Sequence, residues 1–247
     1  MAYFTVDVKC AISGTTAGQH AAFAAGDLLF DWQGFEIPRG GAKLVGVTAL
    51  VRPKGDANPT PNPFAFDLIF GKVGTTLGSA NAVAFVSTPT EDIMGSVNIA
   101  VANYGAAGTA STSCLSVASV SDLSIVIAPD DTALNTGANV GYDKFYVAGI
   151  ANGAFRFDTV VQINDDDIAS SSPGTTLVTD GGADVRMQFL VDDELIAHDD
   201  AVIGTVASFA GNATTLSLDS AIATSVLAAN DYVYNKHPIK LRLHFEK

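Results

Sequence analysis

The sequence predicts an all-β protein, an antiparallel β-sandwich or jelly roll with a loop-rich excursion and a small C-terminal β module. Three observations carry that prediction. Apolar residues recur with period two in many short runs, turn signals fall between those runs at intervals of roughly 8–12 residues, and no segment longer than about ten residues keeps a helical period. A chain of 247 residues is also long enough to bury a sizeable core.

The first run sets Phe4, Val6, Val8, Cys10 and Ile12 on one face of an extended strand, since successive side chains point to opposite sides. A second run, Leu28 to Trp32, leads into the glycine- and proline-bearing segment around Phe35, which reads as a loop. Residues 43–52 are apolar on both parities, as in a central strand covered on both faces. The stretch 53–63 holds four prolines, a glycine and two asparagines, which reads as an exposed, stiff connection because proline fixes φ and cannot donate to a ladder. Phe64, Phe66, Leu68 and Phe70 then share a face, so 43–52 and 64–70 read as neighbouring antiparallel strands. Residues 73–143 read as a loop-rich excursion, with one clear strand around Leu123 to Ile127, or else as a few short strands of the main sandwich. Lys144–Ile150 and Phe155–Ile163 read as a hairpin turning at Asn152-Gly153. Val185, Met187, Phe189 and Val191 mark a further strand. The chain closes with Ile239, Leu241, Leu243 and Phe245 facing in and Lys240, Arg242, His244 and Glu246 facing out. This reading divides the chain into a sandwich over 1–180 and a small module over 181–247 whose last strand returns to the main sheet.

Composition narrows the function. Only 16% of residues are charged while 48% are hydrophobic, against roughly 25% charged in ordinary globular proteins. Such a lightly charged surface suits burial against other subunits, so a homo-oligomer is expected. The formal charge of −13 disfavours nucleic acid, whose phosphates reward the opposite sign. No apolar run approaches the roughly 18 residues that span a bilayer, and Asp7 and Lys9 interrupt any secretory core.

Chemistry is sparse. His20, His198, His237 and His244 stand in no ligand or triad-bearing motif. Cys10 and Cys114 match no metal or redox spacing; a buried free thiol at Cys10 is expected, with a disulfide left open. Asp165, Asp167, Asp192 and Glu194 are the weak candidates for a cation, since carboxylates are calcium ligands. Their runs lack the spaced loop pattern, and neighbouring acids on a strand point apart. The sequence therefore points to no cofactor and no metal. Lys236, His237, Lys240, Arg242, His244 and Lys247 make a cationic stripe, which either docks against an acidic neighbour or guards an edge strand from unwanted pairing.

Residues 192–235, DDELIAHDDAVIGTVASFAGNATTLSLDSAIATSVLAANDYVYN, resemble small β modules that recur in structural proteins of tailed bacteriophages. PNPFAFDLIFGK and HPIKLRLHFEK look similar to jelly-roll strands of capsid decoration (cement) proteins, in the style of marine phages. The resemblance implies a non-enzymatic virion-surface protein, made in the host bacterial cytoplasm. It would bind the outside of an assembled head through the major capsid protein, often as a homotrimer. It carries over no functional residues. Under it, the expected contact residues are Phe35, Pro38 and Arg39, then Pro59 and Pro61 of the proline-rich loop, then Lys240, Arg242 and His244. Two other classes remain open: a tail or fibre adhesin for a host glycan, which a single tryptophan, Trp32, serves poorly, and a prokaryotic surface-lattice protein. An enzyme ranks last.

Overall fold

The structure is a computed structural model that describes residues 2–15, 17–52, 62–72, 74, 76–83, 93–105, 114–119, 125–127, 142–157, 160–162, 174–179, 184–211, 214–223, 226–228 and 230–247. It is nearly all β, and every strand pair among the described residues is antiparallel.

Two sheets form the sandwich. The first runs β1 (Tyr3–Cys10), β18 (Ile239–Glu246), β4 (Ala42–Val51), β8 (Cys114–Ser119) and β7 (Tyr104–Gly105), with β9 (Ile125–Ile127) also on β4. The second runs β3 (Leu28–Pro38), β10 (Tyr142–Ala151), β5 (Phe66–Gly71) and β6 (Ile93–Ile99). The period-two pattern explains their stacking, because each strand turns its apolar parity to the facing sheet. Leu241, Leu243, Phe245, Val47 and Ala49 come from one side, and Phe35, Ile37, Leu68, Phe70, Phe145 and Val147 from the other. Phe35 sits at the centre, its ring centroid 6.1 Å from that of Phe245, 6.2 Å from Phe145 and 6.3 Å from Phe70. Each such aromatic pair adds about 1 kcal/mol beyond the area it buries. A two-stranded ribbon, β2 (Ala22–Phe23) with β11 (Phe155–Arg156), packs aromatic rings against this core: Phe64 stacks on Phe155 at 3.7 Å and Phe155 on Phe23 at 5.1 Å.

A third sheet has its own core. Its order is β12 (Val160–Gln162), β17 (Tyr232–Asn235), β14 (Glu194–Ala197), β15 (Val202–Phe209), β16 (Thr215–Leu218) and β13 (Thr176–Val178). Leu177, Phe189, Leu195, Val206, Leu216 and Val233 fill its apolar side. Because β12 and β13 precede residue 181 and pair in this sheet, the module draws on chain upstream of that position. After β17 the chain enters β18 and returns to the sandwich, where β1 and β18 pair along their whole length.

Three local expectations are corrected, and one open alternative is decided. Residues 43–52 and 64–70 are not neighbours but lie in opposite sheets, because both edges of β4 are taken by β18 and by β8 with β9, and both edges of β5 by β10 and β6. For the same reason no hairpin forms at Asn152-Gly153: β10 already lies between β3 and β5, so Phe155 pairs with Phe23 instead. The strand expected over 185–191 is a helical turn, α1 (Val185–Gln188). Asp184 caps it by accepting from the Arg186 backbone N–H at 3.0 Å, and Val185 and Phe189, four apart, turn into the module core together. Residues 93–99, 104–105, 114–119 and 125–127 are sheet strands, so the 73–143 stretch builds both sheets as well as loops.

Candidate functional site

The sandwich and the module meet at a junction held by buried polar groups. Arg52 follows β4 and Asp193 precedes β14, and their side chains are 8% and 0% exposed. The Arg52 guanidinium donates through Nη2 to both carboxylate oxygens, at 2.6 Å to Oδ1. Lys240 Nζ donates to Oδ1 at 3.2 Å and the Leu190 N–H to Oδ2 at 2.8 Å. The Arg52 backbone N–H also reaches the Pro238 carbonyl at 2.9 Å. A carboxylate so enclosed is tolerable because its lone pairs are met by donors and cations.

The loop after β1 clamps the other flank. Gln19, fully buried, donates from Nε2 to the Ile12 carbonyl at 2.9 Å and to the Asn235 carbonyl at 2.7 Å. Asp200 accepts from Ser13 Oγ at 2.8 Å and from the Gly14 N–H at 2.6 Å. Gly14 approaches the module closely: a Cβ there would lie 2.7 Å from the Ala197 carbonyl and 2.9 Å from the Tyr234 ring. Lys236 Nζ donates to Glu194 at 2.6 Å, and His237 Nδ1 lies 3.9 Å from the same carboxylate. Burial holds the His237 pKa below its ordinary value, with Glu194 acting in the opposite sense and Lys236, Lys9 and Lys240 reinforcing the fall.

Two clefts open at this junction. One, of about 140 Å³, is lined by Leu50, Val51, Arg52, Leu190, Pro238 and Lys240. The other, of about 250 Å³, lies between Ala11–Ser13 and Ile196, Asp200 and Lys236. Leu50 and Leu190, which line the first, are exposed by 38% and 40%. On the outward face of the same sheet Leu50 lies beside Lys240, and Thr48 beside Arg242. Leu50 and Leu190 thus form an apolar centre with Lys240 at its rim.

The residues singled out from sequence divide among several fates. Phe35 is a correction: the segment around it is strand β3, and Phe35, 5% exposed, is a core residue, not a contact residue. Pro38 ends β3 half-buried, while Arg39 is exposed and its carbonyl accepts from Lys247 Nζ at 2.7 Å. Pro59 and Pro61 lie outside the described residues. Lys240, Arg242 and His244 do share the outward face of β18, but β18 lies between β1 and β4, so they guard no edge. Much of their polarity is answered within the chain. Arg242 donates to both oxygens of Asp7 at 2.7 and 2.8 Å, and this bond holds the Asp7 carboxyl below its ordinary pKa. His244 Nε2 is 2.9 Å from Thr48 Oγ1.

Asp165 and Asp167 lie outside the described residues. Asp192 is exposed in a turn at φ 71°, and Glu194 is engaged by Lys236. Among the described residues no three His, Cys, Asp or Glu side chains gather as ligands would. Cys10 is a free, fully buried thiol whose pKa burial pushes up; the side chain of Cys114 lies outside the described residues. Among the described residues no helix is long and apolar enough to cross a membrane. Sequence reasoning missed Arg52 and Gln19, and read Asp193 only as one acid of a candidate cation-binding run. Arg52 and Asp193 are 141 positions apart, and their only local signal was a lone arginine before a proline-rich stretch and an acid inside an acidic run. Comparison with family models, with curated proteins and with solved structures finds no match to this chain.

Proposed function

We propose that this protein is a virion structural protein, a decoration or cement subunit that lies on the outside of a phage head and binds the major capsid protein. The observation that carries the reading is the patch of Leu50 and Leu190 beside Lys240 at the junction of two β units. The joined units present broad sheet faces, and the patch supplies apolar area that a shell subunit would cover, inside a rim whose charges are already paired within the chain. Many copies on a symmetric shell make a modest interface sufficient, since lattice repetition multiplies weak contacts.

The test is co-sedimentation of purified protein with expanded, undecorated heads of the phage that encodes it. Saturable binding, reduced at least tenfold by Leu50→Asp with Leu190→Asp, supports the proposal. Failure to bind heads at micromolar concentration would overturn it.

A further inference from the structure

The geometry points to a second surface of different kind: the outer edge of β1 is a self-pairing edge, and its partner is β1 of a second copy of this chain. In the β1–β18 ladder, Ala2 and Lys247 exchange both backbone hydrogen bonds, at 3.0 and 2.8 Å. Antiparallel pairs alternate between bonded and unbonded, so Phe4, Val6, Val8 and Cys10 also bond toward β18. Tyr3, Thr5, Asp7 and Lys9 therefore aim their N–H and C=O groups away from it. The same phase is visible beyond the strand end. The Ile12 N–H bonds the Lys236 carbonyl at 2.9 Å, whereas the Ala11 N–H turns outward to Gln33 Oε1 at 3.5 Å. Among the described residues no strand pairs with this outer edge.

Open edges in natural sheets are blunted by proline, bulges or inward-pointing charges. β1 contains no proline, its register with β18 is unbroken and its inward parity is Phe4, Val6, Val8 and Cys10, while its two edge charges, Asp7 and Lys9, are of opposite sign and so do not by themselves repel a second copy. The other long outer strand of the sandwich, β3, carries two register irregularities and ends at Pro38. Phe4 and Val6 also remain partly exposed although they pack on the core, apolar surface that an added strand would cover.

Two registers satisfy both faces, but an axis at Val8, which would set Asp7 opposite Lys9, draws Ala11 into the ladder, and its N–H is already turned to Gln33 Oε1 at 3.5 Å. Placing the two-fold axis at Val6 sets Thr5 opposite Asp7 of the second copy and Tyr3 opposite its Lys9, with Phe4 opposite Val8 on the inward side. Hydroxyl then meets carboxylate, aromatic ring meets ammonium, and apolar meets apolar. About eight backbone hydrogen bonds form, two at each of the four facing pairs. Moving the axis to Asp7 would set Asp7 against Asp7, like charges directly opposite. The product is a two-fold dimer, distinct from the trimer that the phage resemblance implies, and it forms without any head present, so its failure and the failure of the capsid proposal are separable.

Sedimentation velocity over a concentration series, with cysteine cross-linking, tests this. A concentration-dependent dimer is expected. Thr5→Lys, facing Asp7, should tighten it by about fivefold and Thr5→Glu loosen it by about fivefold, since two symmetric contacts change by about 0.5 kcal/mol each. Thr5 is exposed and, among the described residues, no strand pairs with the edge its N–H faces, so both variants should melt with the native protein. Under oxidation Val6→Cys should cross-link two chains, because unbonded partners stand about 4.5 Å apart at Cα, inside the disulfide range. A monomer at every concentration, a trimer, equal shifts from the two Thr5 variants, or cross-linking by Asp7→Cys in place of Val6→Cys would each overturn the assignment.

Discussion

Replacing Asp193 by alanine removes the group on which three donors converge. Arg52 would keep a guanidinium 8% exposed with its carboxylate gone, and the Leu190 N–H would lose its acceptor. Breaking one side of a buried ion pair costs about 3–5 kcal/mol, because the surviving charge remains desolvated. For a chain of this length each kcal/mol moves the midpoint by about 2–4 °C, so Tm should fall by about 10 °C. The double variant Arg52→Met with Asp193→Leu removes both charges and keeps apolar volume, and should recover most of the loss. Differential scanning calorimetry on native, single and double variants reads this directly. A drop below about 2 °C for Asp193→Ala, or a double variant as unstable as the single, would refute the claim that this pair holds the two β units together.

Phe35→Ala, which opens a cavity among Phe70, Phe145 and Phe245, should cost about 3–5 kcal/mol in urea unfolding. An effect near zero would restore Phe35 to the surface. His237 has a folded pKa below its ordinary value of 6.5, so it binds fewer protons folded than unfolded. Its contribution is therefore present above that value and lost as pH falls through the lower folded pKa. Native protein should thus lose more Tm than His237→Gln between pH 7.5 and pH 5.5; equal losses would contradict the burial of this ring. In a Cys114→Ser background, Cys10 should resist a thiol reagent at pH 8 until denaturant is added, given complete burial and a raised pKa. Rapid labelling of the folded chain would show an open edge where the core is drawn.

Much of the sandwich was legible because period-two alternation reports directly on which side of a strand is dry. Tyr3–Cys10, Phe66–Gly71 and Ile239–Glu246 turn inward the residues their pattern names. Partner choice was less legible, since it depends on which edges are already occupied. Asn152-Gly153 is a strong turn signal, yet β10 had no free edge to offer a hairpin. The Val185–Val191 run alternates, but it also places apolar residues four apart, and a capping aspartate decided for the helical turn. The junction was hidden for a different reason. An acid within Asp192-Asp193-Glu194 looks solvated until a distant arginine is folded onto it, and no local pattern announces a contact of that sequence separation. The outward stripe of β18 was read correctly in direction but not in setting, because its cations find Asp7, Asp193 and Glu194 within the same molecule.

The most direct test of the proposed virion role is the copy number of this chain in purified particles of the phage proposed to encode it, measured by quantitative mass spectrometry against the major capsid protein. A decoration subunit should be present at a fixed stoichiometry of many copies per head, lost when Leu50→Asp and Leu190→Asp are introduced together. Particles assembled and purified without the chain, or carrying only a trace that varies between preparations, would contradict it.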